Sequence, residues 1–382
     1  MQAVAVKDPM GAVTTDRDPT SRATPTVRSV LAGFRPWHPL VQRAGRFHWV
    51  LGLRVALCFV GPIAVSHLAG RWAAETAIMA LGAFLVSIFL APFDRPRQQL
   101  GAGLALATVL PATVLVSMLV GGWGRVFLLV AVGLVAGFSV GCAPLVGTFA
   151  RSFGLALILA PELPTTAFAV RWVAIGGLLA VAVTLLTSRL TPDHLRSPGR
   201  PAGPDRSVVR HHAVRLALAL GVAGALAQVA CYATPLREHA LWLGIGVWIV
   251  LQPYLHDTVA KAVQRGTGTV LGGLLTLALV QAVPSGLWVG WLFLVLAFLC
   301  FGIRPVNYGW YCVFLTPIIV MGFGPVTHDY AVLEARLGWT VAGSLLALAL
   351  RFALWPAHGH PVVASEPSDA PGRDDPRVAL ID

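Results

Sequence analysis

From about residue 51 to residue 356 the chain is a succession of apolar runs separated by short polar breaks. Many of the runs approach the ~20 residues that an α-helix needs to cross a bilayer. The pattern predicts spans near 51–69, 73–91, 100–120, 126–143, 144–160 and 167–187, and six more near 214–233, 240–254, 267–283, 286–302, 308–324 and 337–355. The expected fold class is all-α: a polytopic membrane protein with about 12 transmembrane helices. Polar stretches frame these runs. Residues 1–45 read as a flexible tail, 189–212 as a linker and 357–382 as a second tail. The fifth span either contains Arg151 or begins after it and is very short.

The two membrane blocks, 46–188 and 213–356, echo one another. Arg54 opens the first span and Arg215 the seventh. Ala91-Pro92-Phe93-Asp94 ends the second span, as Gln252-Pro253-Tyr254-Leu255-His256-Asp257 ends the eighth. Arg171 and Arg336 each begin the last span of their block. The first two pairs of landmarks are 161 residues apart and the third 165. The expectation is two parallel six-helix repeats. The alternative is chance similarity between two sets of apolar helices.

Composition supports the membrane reading. The chain is 56% hydrophobic and only 12% charged, where a soluble domain carries about 25% charged residues. The net charge of +11 is carried almost wholly by arginine, with Lys7 and Lys261 the only lysines. A basic chain can bind nucleic acid. Here the arginines lie in the tails and between apolar runs, so a lipid bilayer is the expected partner and nucleic acid is not. With the N-terminus inside and twelve spans, seventeen basic residues fall inside and five outside. Both termini are therefore expected in the cytoplasm. No cleavable leader is expected, and the first span reads as an uncleaved anchor. The five cysteines form no CxxC pair, and the histidines form no ligand set; no metal and no cofactor are expected.

Chemistry concentrates in residues 240–273. An apolar run ends at Gln252-Pro253-Tyr254, a charged segment follows, and Gly266-Thr267-Gly268-Thr269 leads into the next run. This stretch reads as helix, cytoplasmic elbow, helix. Asp257, Lys261 and Arg265 recur every four residues, on one helical face. That face is either a solvated elbow or a cationic lip that receives an organic anion. Trp248 and Tyr254 stand beside it, as packing residues or as stacking surfaces for an aromatic substrate. Arg171 and Arg336 either snorkel to the outer interface or line an anion path. Asp94 and Asp257, at corresponding elbows, are either solvated loop residues or the candidate proton-coupling groups. Two apparent motifs are packing features instead. Gly268 and Gly272 form a GxxxG pair rather than a phosphate cradle. Gly137-Phe138-Ser139-Val140-Gly141 matches a hydrolase elbow, but Gly133, Gly137 and Gly141 fall at helical spacing within an apolar run.

The stretch LWLGIGVWIVLQPYLHDTVAKAVQRGTGTVLGGLL (241–275) resembles the signature of the fusaric acid resistance family, a branch of the aromatic acid exporters. That signature joins a Trp-rich span, a Gln-Pro turn and a Gln-Arg segment followed by Gly-Thr. FLTPIIVMGFGP (314–325) and ARLGWTVAGSLLALALRFALWP (335–356) are also similar to the closing spans of the family. The likeness is strongest over 210–356. It implies an inner-membrane exporter of aromatic or other organic acid anions, related to the aluminium-activated malate channels of plants. By residue it implicates Gln252, Pro253, Arg265, Thr269, Gly272 and Arg336. Many bacterial members carry a large cytoplasmic domain, where this chain has only the short linker. The expected activity is outward transport of a small organic anion, driven by the proton gradient or by the gradient of the anion, with no catalytic chemistry. A passive anion channel and a non-transporting membrane scaffold are the alternatives, and a homo-oligomeric assembly is left open.

Overall fold

The computed structural model of the protein describes residues 45–68, 74–91, 93, 95–140, 143–160, 167–190, 205–233, 240, 242–283, 287–323 and 331–354. All regular structure among them is helical. The order is α1 (Trp49–Leu68), α2 (Ala74–Leu90), α3 (Pro96–Phe138), α4 (Pro144–Leu159), α5 (Ala167–Ser188), α6 (Arg206–Ala233), α7 (Trp242–Val250), α8 (Leu255–Ala282), α9 (Leu287–Ile303), α10 (Tyr308–Phe323) and α11 (Ala331–Ala353). Large apolar side chains remain exposed on many of them, for example Leu119, Phe127, Leu186 and Trp288. In lipid a helix can carry apolar side chains on every face, because its backbone groups are satisfied internally. Four segments are long and apolar enough to cross a membrane: Pro96–Phe138, Phe168–Ser188, Arg206–Ala230 and Leu255–Ala282. Shorter apolar helices make up the rest.

Eleven helices among the described residues replace the twelve expected, and the difference arises in α3. The third and fourth predicted spans are one element of 43 residues. A straight helix of that length would measure roughly 65 Å, about twice the ~30 Å hydrocarbon core. It is interrupted at Gly121, whose φ of 70° and ψ of −177° are not helical. An L side chain is disfavoured at that φ. The break separates Pro96–Val120 from Gly122–Phe138. Two further boundaries move. Helix α8 begins at Leu255 rather than near 267, so most of the predicted elbow is helix. Helix α6 begins at Arg206, inside the predicted linker. The tails lie almost wholly outside the described residues.

Packing builds three apolar cores. One joins α1, α9 and α10 around Phe293, Phe301 and Ile318. A second joins α2, the first part of α3, α4 and α5 around Leu85, Leu106 and Val173. The third joins the end of α3, α4, α6, α7 and α11 around Leu220, Leu243 and Trp248. Helix α1 packs on α9, and α6 packs on α3. Helix α2 packs on α5, and α7 on α11. Close backbone approach marks each crossing. A β-carbon at Gly52 would meet the Phe298 carbonyl, and one at Gly137 would meet the Ala213 backbone. A β-carbon at Gly176 would meet the Met79 carbonyl, and one at Gly343 the Leu243 carbonyl. Small residues allow such approach where lipid offers no hydrophobic drive between helices.

Candidate functional site

The elbow is the four-residue segment Leu251–Tyr254 between α7 and α8. Pro253 has no N–H to continue the helix, and the last carbonyls of α7 need other donors. Gln252 supplies them: its Nε2 donates to the carbonyls of Ile249 at 2.9 Å and Leu251 at 3.2 Å. Thr258, fully buried on α8, closes the turn from the other side. Its Oγ1 accepts from the Gln252 N–H at 3.0 Å and donates to the Tyr254 carbonyl at 3.0 Å. Gln252 therefore ties the backbone of the bend, and its amide N–H groups are already engaged there.

Past the bend, α8 opens with Asp257 in its first turn, where a carboxylate complements the helix dipole. Asp257 lies 3.5 Å from His256, and both side chains are about half exposed. Two turns further on, Arg265 is 3% exposed. Its Nη1 donates to the Tyr308 hydroxyl at 2.8 Å. Its Nε is buried and has no hydrogen-bond partner among the described residues. The electrostatic neighbours of the guanidinium are Tyr308, Cys312 and Tyr311 rather than a carboxylate. Thr269 is buried one turn on, and its hydroxyl donates to the Arg265 carbonyl at 2.7 Å.

Tyr308 is held by local sequence. Asn307 caps α10 through its Oδ1, which accepts from the N–H groups of Gly309 at 2.8 Å and Trp310 at 3.3 Å. This fixes Tyr308 at the first turn. Helices α8 and α10 then approach closely: a β-carbon at Gly268 would meet the Gly309 carbonyl and Cys312, and one at Gly272 would meet the Val313 carbonyl and Thr316. The Tyr308 ring also carries Lys261, with Nζ 5.3 Å from its centroid. Arg304 lies 5.7 Å from the centroid of Tyr311, and the two tyrosine rings are 5.5 Å apart. Arg151, on α4, is within electrostatic reach of both Arg304 and Lys261.

Other expected residues stand elsewhere. Trp248 is buried in α7 with its benzo ring against Gly154 of α4. Arg171 is exposed on α5 and lies 5.0 Å from the Trp172 ring centroid; it does not join Arg265. Gly133 and Gly137 face Ala217 and Ala213 of α6. Asp94, Gly141 and the side chain of Arg336 lie outside the described residues. Three residues that complete the cluster are not expected from the sequence: Thr258, Tyr308 and Tyr311. The one local signal for the tyrosines is Asn307 before an aromatic run, which is a helix start. Arg54 and Arg215 form a further matched pair. Arg54 Nε donates to Thr187 Oγ1 at the end of α5 (2.9 Å), and Arg215 Nε to the Leu354 carbonyl at the end of α11 (3.1 Å).

Among the described residues the regular structure is helical, with long apolar segments and a buried guanidinium on one of them, which makes this a membrane protein. Residues 213–350 match the family described as fusaric acid resistance protein-like, so the second half of the chain is similar to that family. The chain is also 30% identical over 164 residues to a Neisseria gonorrhoeae protein named "Uncharacterized protein ORF2". That match covers 41% of this chain and 37% of the relative, so the chain spans little more than a third of its length. No solved structure matches.

Proposed function

We propose that the chain exports organic acid anions, aromatic acids among them, across the bacterial inner membrane, with both termini in the cytoplasm. The observation that carries this reading is Arg265: a guanidinium 3% exposed, on an apolar helix, with its Nε unpartnered among the described residues. A charge is costly at such a place, and charges there tend to mark substrate or ion pathways. A carboxylate can take the free edge of a guanidinium in a charge-assisted, bidentate bond. The close α8–α10 crossing at Gly268 and Gly272 fixes the distance between Arg265 and Tyr308. The family match over 213–350 agrees with transport, and it covers the half that contains Arg265.

The fold supports a duplicated architecture of twelve spans, with α3 counted as two at Gly121. Gly52 approaches Phe298, and Ala213 approaches Gly137. Adding 161 to Gly52 and Gly137 gives Ala213 and Phe298, so one crossing is the image of the other. Arg265 has no basic counterpart in the first half at that offset or at 165, where Leu104 and Leu100 bracket the matching positions. The first half serves as a structural partner and the second holds the path.

The test is efflux of labelled hydroxybenzoate from cells expressing wild type, Arg265→Ala or Arg336→Ala. The expected result is at least about tenfold slower efflux for Arg265→Ala at unchanged protein level, corresponding to the loss of roughly 1.4 kcal/mol of interaction. Unaltered efflux in both variants would remove the anion-binding proposal. A passive channel is the second reading, because no carboxylate is buried among the described residues and Asp257, the remaining coupling candidate, is half exposed. A pH gradient that accelerates efflux in wild type but not in Asp257→Asn favours coupled export. Current that follows voltage alone favours the channel.

A further inference from the structure

Three cations gather above Arg265 with little to neutralise them. Lys261, one turn before Arg265 on α8, lies over the Tyr308 ring. Arg304, in the turn between α9 and α10, lies over the Tyr311 ring. Arg151 comes from the other half of the chain, on α4, with its Nε donating to the Gly147 carbonyl at 2.9 Å. Each of the three is within electrostatic reach of the other two, and Asp257 is the one carboxylate among the described residues that Lys261 senses. Basic residues placed only to orient a membrane protein gain by spreading into water, since like charges repel and solvation is favourable. Here Lys261 is folded onto the Tyr308 ring and Arg304 onto the neighbouring Tyr311 ring, while Arg151 stands exposed on α4 within electrostatic reach of both.

We propose that Arg151, Lys261 and Arg304 form an anion-binding mouth, built from both halves of the chain, that takes small anions bearing two or more negative charges ahead of monoanions. The charge count sets the valence. Three cations against one half-exposed carboxylate leave a surplus that a single negative charge does not balance. The rings set the selectivity: the faces of Tyr308 and Tyr311 toward Lys261 and Arg304 are already used in cation–π contacts. The mouth therefore recognises charge and offers little free ring surface to an aromatic substrate. Tyr308 joins it to the inner group, its ring on Lys261 and its hydroxyl on Arg265. Passage of the bound anion beyond the mouth rests on the transport reading, so the test measures binding alone.

The experiment uses the full chain in nanodiscs of zwitterionic lipid and titrates citrate and benzoate by calorimetry at several salt concentrations. Citrate is expected to bind about tenfold or more tightly than benzoate, with a steeper loss of affinity on added salt. Arg151→Gln and Lys261→Gln should each weaken citrate about tenfold and change benzoate little, and Arg151→Lys should restore most of the loss. Equal affinities for the two anions would overturn the proposal. So would a citrate affinity indifferent to Arg151→Gln, because the mouth would then not be shared between halves. Citrate binding that is abolished when the nanodisc contains anionic lipid would assign the cluster to lipid headgroups and overturn it as well. A protein that binds citrate in this way yet moves no hydroxybenzoate keeps the mouth and loses the exporter.

Discussion

Arg265 combines two conditions that rarely coexist, a permanent charge and nearly complete burial. Tyr308 relieves part of the cost with one hydrogen bond of 2.8 Å. Removing that hydroxyl leaves a second buried donor unmet, which costs about 1–3 kcal/mol. Tyr308→Phe is therefore expected to lower stability by that amount in detergent-solubilised protein, measured by thermal unfolding, while Arg265→Met in the same background recovers much of it. A Tyr308→Phe protein as stable as wild type would mean that the bond contributes nothing. The two residues differ in how legible they are in the sequence. Arg265 announces itself by the four-residue spacing from Asp257 and Lys261. Its partner lies 43 residues away and belongs to no periodic pattern, because a single polar contact between two apolar helices leaves no trace in hydrophobicity.

Helices obey local rules that are easier to read. Most predicted spans have a helix at nearly the predicted place, because apolar length alone marks them. The start of α8 lies about a dozen residues earlier than expected for an identifiable reason. Lys261 and Arg265 look like part of a solvated loop when their packing against Tyr308 of α10 is invisible. The bend itself is marked by Gln252-Pro253, but Thr258, which fastens it, has no sequence hallmark. Thr258→Val should loosen the elbow by about 1–2 kcal/mol, since the Gln252 N–H and the Tyr254 carbonyl both lose a partner. Faster hydrogen exchange confined to residues 251–258 is the expected signature, and uniform exchange would contradict it. Gly121 offers a cleaner case. No atom lies within 4 Å of a β-carbon built there, so the expected cost of Gly121→Ala, about 1–2 kcal/mol, is backbone strain alone. Gly101, in regular helix with equally open space, is the control: Gly101→Ala should be neutral or stabilising by up to about 1 kcal/mol. Equal effects of the two substitutions would show that the φ of Gly121 is not needed.

At the scale of the molecule, the proposed duplication is an exchange as well as a repetition. Helix α1 packs on α9 and α6 packs on α3, so each half lends a helix to the other. Gly52→Ala and Gly137→Ala each push a β-carbon into backbone at one of these two crossings. Both should cost about 1–3 kcal/mol by overpacking, and the double variant should be close to the sum, because the crossings are separate. A neutral effect at one crossing and a large one at the other would argue against matched halves. The offset of 161 residues is visible in Arg54, Pro92 and their counterparts. The exchange is not, because a repeat in sequence is silent about which copy a helix leans on.

That exchange imposes an order of events during synthesis. Helix α1 leaves the ribosome about 240 residues before α9 does, a wait of roughly 12–50 s at 5–20 residues per second. Throughout that interval Gly52 lacks the Phe298 backbone that it packs on. A product that stops in the linker never gains it. The first half made alone therefore leaves the α9-facing side of α1 without its partner helix, and it is expected to be degraded faster than the full chain in a pulse-chase measurement.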